Sequence, residues 1–145
     1  MTRAIIIPAD GTQPLRWVDY AKGDYKNMTA LVFDGNRDGG TYSLSIVGRG
    51  DKEVSLWYDD NGLARLDNEK LPNIINLRAM EIWASLDGGL DIFDFRVPLI
   101  GTYVVTGQSD EEGNSTDAPS WVMDFPFSWH NKFSIIEKAE DADGE

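Results

Sequence analysis

Oxygen-bearing side chains recur at alternate positions in Asp34-Gly35-Asn36-Arg37-Asp38-Gly39, with glycine at the bend. This matches the first half of a calcium loop, where alternating carboxylates and amides close around the ion. The full loop requires a bidentate glutamate six residues after the second glycine, and Ser45 stands there. Arg37 also sets a positive charge among the would-be ligands. The segment is therefore expected to be a polar turn, made of the residue types that turns favour. No metal site is assigned.

Other chemistry is thinner. Asp59-Asp60, Asp91, Asp94 and Asp110-Glu111-Glu112 could do acid–base work only if two carboxylates faced one cleft with separated pKa values. With a divalent ion, that arrangement would make a hydrolase. His130 is the sole histidine, and cysteine is absent. Histidine-rich and thiolate metal sites, cysteine nucleophiles and disulfides are excluded together. His130 follows a tryptophan, and no serine sits in a Gly-x-Ser-x-Gly setting, so it is read as structural. No Gly-x-x-x-x-Gly-Lys phosphate cradle occurs. No catalytic residue and no cofactor is assigned, and the chain is not expected to be an enzyme.

Binding candidates are clearer. Trp121, Met123, Phe125, Phe127 and Trp129 recur at a period of two, with Val122, Asp124, Pro126 and Ser128 between them. That predicts a strand, and Pro126, lacking an N–H, places it at a sheet edge. Such an aromatic face belongs to a core. Where it reaches solvent, Trp121, Phe127 and Trp129 have the composition of interface anchors. Asn76 and Arg78 are expected to point away from the helical face of Ile75, Ala79, Ile82 and Trp83. They are candidate ligand contacts there. An anion pocket would have to gather Arg49, Arg65, Arg78 and Arg96, which are scattered in sequence.

The charge narrows the partners. Lys and Arg number 13 against 25 Asp and Glu, for a net charge of -12. Such a surface is repelled by phosphate backbones, so no direct nucleic-acid binding is expected, and it attracts proteins with a basic surface. The opening "MTRAIIIPADGT" lacks a secretory pattern. No apolar run approaches the roughly 20 residues of a membrane span. A cytoplasmic setting without membrane contact is expected.

These residues need a scaffold. "RAIII" reads as a buried strand, "LRWVDY" as a half-buried one and "DYKNMTALVF" as a helix. "TYSLSIV" and "EVSLWYDD" form an antiparallel pair across Gly48–Asp51. Asp60-Asn61-Gly62 suits a tight turn, and Asn68 or Asn73 can cap the helix that follows Pro72 and stops near Leu86, before Gly88-Gly89. "LDIFDF" and "VPLIGTYVV" read as further strands. The fold class is α+β: a small, mostly antiparallel sheet with one or two helices. One domain spans residues 1–136, with a polar loop or insertion over 108–120, and 137–145 form an acidic flexible tail.

The passage "DDNGLARL…LPNIINLRAM", followed by "VPLIGTYVVTG", resembles a family of small phage and actinobacterial proteins catalogued as domain of unknown function 3846. The matching elements are Asp60-Asn61-Gly62, Asn76-Leu77-Arg78-Ala79 and Gly101-Thr102-Tyr103-Val104-Val105, with "RAIIIPADG" as the short first strand. The likeness covers residues 3–107 and departs from Ser109 onward. It implies an α+β domain of phage accessory type, no established activity and no catalytic residues.

Three functions follow as expectations. The first is a small acidic accessory protein that acts in the host cytoplasm. It would bind a host protein and inhibit or modulate it, with DNA-like charge mimicry as one route. The second is a sponge for a small anionic nucleotide signal in an arginine-lined pocket. The third is the metal-dependent hydrolase.

Overall fold

The computed structural model describes residues 1–21, 25–35, 37, 40–61, 75–86 and 98–127. The expectations for "LDIFDF", Asn68, Asn73, Arg65, Arg96, Trp129, His130 and the acidic tail lie outside these residues. In chain order the elements are β1 (Thr2–Ile7), β2 (Arg16–Tyr20), α1 (Tyr25–Val32), β3 (Tyr42–Val47), β4 (Val54–Asp59), α2 (Leu77–Leu86) and β5 (Tyr103–Thr106). The strands form one five-stranded sheet in the order β2-β1-β5-β4-β3. Every neighbouring pair is antiparallel. This is the α+β architecture expected from the sequence.

Both faces of the sheet are covered at its middle, which explains why "AIII" is apolar without a break. Side chains alternate across a strand. Ile5 and Ile7 join Leu56, Tyr103 and Val105 in a core that α2 seals with Ala79 and Ile82. Ala4 and Ile6 join Trp57 and Val104 on the other face, sealed by Met28 and Val32 of α1. β1 and β5 lie in the middle of the sheet, where a two-sided apolar run is needed.

β3 and β4 are joined through a short 3-10 turn at Gly50–Lys52. Gly48 opens that turn at φ 88°, and a Cβ there would collide with the Lys52 carbonyl. Only glycine fits both demands. After α2 the chain returns through Ile100, which bridges Ile75, and Gly101 at φ 83°. "VPLIGTYVV" is therefore not one strand, and β5 starts only at Tyr103.

The expected edge strand over 121–129 is not formed in its described part. Ser120–Val122 is a 3-10 turn. The N–H groups of Met123 and Phe125 donate to the carbonyls of Ser120 and Val122. The apolar period of two was real, but it was satisfied by a coiled segment laid over the α2-side core. Trp121, Met123, Phe125 and Phe127 all pack there. Pro126 is compatible with this path because no ladder bond is asked of it.

Burial at the middle of the sheet has a pH consequence. Tyr103 is buried against the Tyr58 ring, centroids 5.0 Å apart. Burial raises its hydroxyl pKa well above the ordinary 10.0, and Tyr58 adds to the shift. Burial raises Tyr20 in the same direction. The unfolded chain releases these protons near pH 10 while the folded chain retains them. Their stabilisation is thus intact below about pH 10 and falls as pH climbs above it. Urea midpoints should drop steeply on the alkaline side, and Tyr103→Phe should flatten the drop. An unchanged slope in that variant would contradict the burial argument.

Candidate partner-binding surface

The structure separates the sequence candidates into distinct roles. Asn76 stands one residue before α2 and is fully buried, at 0% exposure. Its amide nitrogen donates to the Ile7 and Gly101 carbonyls, both at 2.9 Å. Its side-chain oxygen accepts from the Ala79 N–H at 3.0 Å. Asn76 therefore caps α2 and ties it to the end of β1 and the approach to β5. The sequence signal was present: an asparagine three residues before Ala79 at a helix start. The sequence offers Asn73 and Asn68 for the same role, and both lie outside the described residues.

Arg78 is also buried, at 2% exposure. One terminal nitrogen donates to the Pro8 carbonyl at 2.8 Å and the Asp10 carbonyl at 3.0 Å. Burial lowers its pKa, and the nearby Asp10 carboxylate opposes that shift. Neither residue points away from the apolar face as the sequence suggested. On a helix packed across a sheet face, a polar side chain near the N-terminus turns inward to satisfy strand-end carbonyls that water cannot reach. Both residues thus have structural work on backbone groups.

Of the proposed arginine pocket, Arg49 and Arg78 fall within the described residues. Arg78 binds the carbonyls past the end of β1, while Arg49 precedes the 3-10 turn between β3 and β4. With every pair antiparallel, these positions are opposite ends of the sheet.

Trp121 and Phe127 lie on the α2 side, half-buried against the core. The Lys52 ammonium sits 4.7 Å above the Trp121 ring, and the Trp121 indole N–H is buried without a hydrogen-bond partner. Phe125 and Phe127 pack with ring centroids 4.8 Å apart. Their outer parts reach solvent, and their inner parts belong to the core.

At Asp34 the backbone is left-handed, at φ 53°, with Gly35 at φ 93°. The Asp34 carboxylate accepts weakly from the Thr102 hydroxyl at 3.4 Å. Asn36, Asp38 and Gly39 lie outside the described residues. Among the described residues no group of three or more His, Asp or Glu side chains converges for a metal. With Ser45 in place of the closing glutamate, calorimetric titration is expected to show no calcium binding at physiological concentration. A micromolar dissociation constant would contradict the turn assignment.

Two surfaces carry more than their sequence reading. One is the segment after β5, expected as a polar surface loop or insertion over 108–120. The Gly107 and Thr116 N–H groups donate to the Thr116 and Gln108 carbonyls, Ser109 bridges Ser115, and Asp110 N–H donates to Asn114 carbonyl. The Asp110 side chain accepts from Glu112 N–H at 3.0 Å and Asn114 N–H at 2.9 Å. Gly113 turns at φ 82°. The loop is thus a folded hairpin that presents Glu111 and Glu112 to solvent. The other is β3, where Leu44 and Ile46 are exposed at 44% and 62%. Their apolar alternation looked like any half-buried strand, and nothing in it signals that α1 stops short of them.

Comparison with protein-family models, with curated proteins and with solved structures finds no match. Among the described residues no helix is long and apolar enough to cross a membrane.

Proposed function

We propose that the protein is an acidic accessory protein of phage type that acts in the host cytoplasm. It binds a host protein carrying a basic surface, and so inhibits or redirects it. The observation that carries this reading is the folded acidic hairpin of residues 107–116. A net charge of -12 serves solubility wherever the charges fall. Solubility, however, does not require Asp110 to spend its carboxylate on two backbone N–H groups, holding Glu111 and Glu112 at the tip of an ordered turn. Fixed charges steer an oppositely charged partner and orient the encounter.

The half-buried Trp121 and Phe127 supply aromatic area of the kind that anchors interfaces. The paired carboxylates Asp59 and Asp60 add a second acidic group at the far end of β4. A DNA-like spacing of carboxylates is one form that the charge could take on binding.

The test is capture from host lysate with tagged protein, then association kinetics with the purified partner. The captured protein is expected to be basic, and its on-rate to fall severalfold as ionic strength rises to about 0.15 M, where charges are screened beyond about 8 Å. Glu111→Lys with Glu112→Lys should lower the on-rate further at low salt. A partner without a basic surface, or an on-rate indifferent to salt and to both substitutions, would overturn the proposal.

A further inference from the structure

We infer that the outer edge of β3 is a docking site for an extended segment of the partner that alternates apolar and basic residues and adds to the sheet as a sixth strand. The inference rests on the reading of the protein as an acidic binder, and it names the element that does the binding.

The backbone geometry points outward. Asp60 N–H donates to the Thr41 carbonyl, and these residues continue the register Tyr42↔Asp59 through Val47↔Val54. Directly opposed residues that exchange such bonds alternate along an antiparallel ladder with pairs that do not. Ser43, Ser45 and Val47 therefore bond to β4. The N–H and C=O groups of Leu44 and Ile46 face away from it. Among the described residues β3 pairs with β4 alone.

The side chains agree with the backbone. The residues whose peptide groups face outward, Leu44 and Ile46, are also the large apolar side chains exposed on the sheet. The opposite edge is different. β2 exposes Arg16 and Asp19, and Asp19 pairs with Arg3, which also covers the Trp17 ring. Charges of that kind guard an edge against further pairing. The edge of β3 has no such guard at Leu44 or Ile46.

Charge selects the occupant. Asp59 and Asp60 stand beside the start of β3, with Ser43 bonded to Asp60. At the other end Gln108 donates to the Gly50 carbonyl, so the acidic hairpin is tied to the turn that follows β3. Lys52 in that turn is engaged over Trp121 on the α2 side, whereas Leu44, paired with Trp57, lies on the α1 side. A second copy of the chain would bring its own -12 charge to this edge. A basic strand gains from the same field. Main-chain bonds would hold it, and alternate side chains would rest on Leu44 and Ile46.

The experiment uses the full chain and a short synthetic peptide of alternating valine and lysine, with binding read by fluorescence anisotropy. Two control peptides replace lysine by glutamate or N-methylate alternate backbone nitrogens. The lysine peptide is expected to bind and to weaken with salt. Ile46→Pro removes an outward N–H and the exposed isoleucine side chain without deleting a donor of the β3–β4 ladder, and binding should weaken about tenfold or more. Should proline disturb the strand, Ile46→Lys keeps the N–H but sets a cation where the lysine peptide must lie, and it should weaken binding too. Either control peptide should bind at least about tenfold more weakly.

If the lysine peptide does not bind, the proposal is overturned. Equal binding by the N-methylated peptide and by the Ile46 variants would also overturn the edge, while the broader acidic-surface reading stands. Equal binding by the glutamate peptide, lost in Ile46→Pro, would instead overturn the basic occupant. Self-association of the free protein, abolished by Ile46→Pro, would assign the edge to a second copy and overturn the proposal.

Discussion

Replacing Asn76 with alanine is expected to destabilise the protein by about 3–7 kcal/mol, the sum of a lost helix cap at about 1 kcal/mol and two buried carbonyls left unsatisfied at about 1–3 kcal/mol each. The side chain is fully buried, and its three polar contacts join three separate segments. Alanine leaves the Ile7 and Gly101 carbonyls and the Ala79 N–H without those partners. A domain of this size has about 5–15 kcal/mol in total, so the loss is a large fraction. The thermal midpoint should fall by about 6–28 °C, at about 2–4 °C per kcal/mol. Asn76→Asp sharpens the test. It keeps the oxygen that caps α2 but turns a carboxylate oxygen toward two carbonyls. The variant should be at least as unstable as alanine at neutral pH and recover in part on acidification, when the carboxyl can donate. A denaturant melt within about 1 kcal/mol of the parent for either variant would mean that Asn76 is not the junction described.

A comparable loss is expected at Trp57, where alanine should cost about 3–5 kcal/mol. Trp57 sits mid-strand on the α1 side and is buried. Its indole N–H donates to the buried Thr106 hydroxyl at 2.8 Å, and its ring meets Tyr42 with centroids 5.4 Å apart. The residue therefore locks β4 to β5 and supports β3 from beneath. Phenylalanine should cost less, about 1–3 kcal/mol, by leaving the Thr106 hydroxyl unpaired. Trp57→Phe together with Thr106→Val should recover part of that cost, because both polar partners are then gone. Equilibrium unfolding of the four proteins measures the coupling directly. Additive losses would contradict the bond as a stabilising contact.

Local pattern carried most of the fold. The unbroken "RAIII" forecast a buried strand, and "TYSLSIV…EVSLWYDD" forecast the β3–β4 hairpin, because both signals lie within one element or one turn. α2 was legible from the spacing of Ala79, Ile82 and Trp83. The failures share a cause, which is that direction is set by tertiary neighbours. Asn76 and Arg78 turn inward because strand-end carbonyls await them, and those carbonyls come from residues some 70 positions earlier. The 121–127 segment keeps its aromatic alternation yet coils, because it needs only to cover a core, and among the described residues no strand pairs with it. Leu44 and Ile46 look like core residues in sequence. Only the position of β3 at the end of the sheet, beyond the reach of α1, makes them surface.

That edge can be read directly by amide hydrogen exchange along β3, resolved by residue, with and without the lysine–valine peptide. In the free protein the Ser43 and Ser45 amides, bonded to β4, should exchange slowly, and the Leu44 and Ile46 amides quickly. Adding the peptide should slow Leu44 and Ile46 and leave their neighbours nearly unchanged. Slow exchange at Leu44 and Ile46 in the free protein, or no change there when the peptide is bound, would contradict the account.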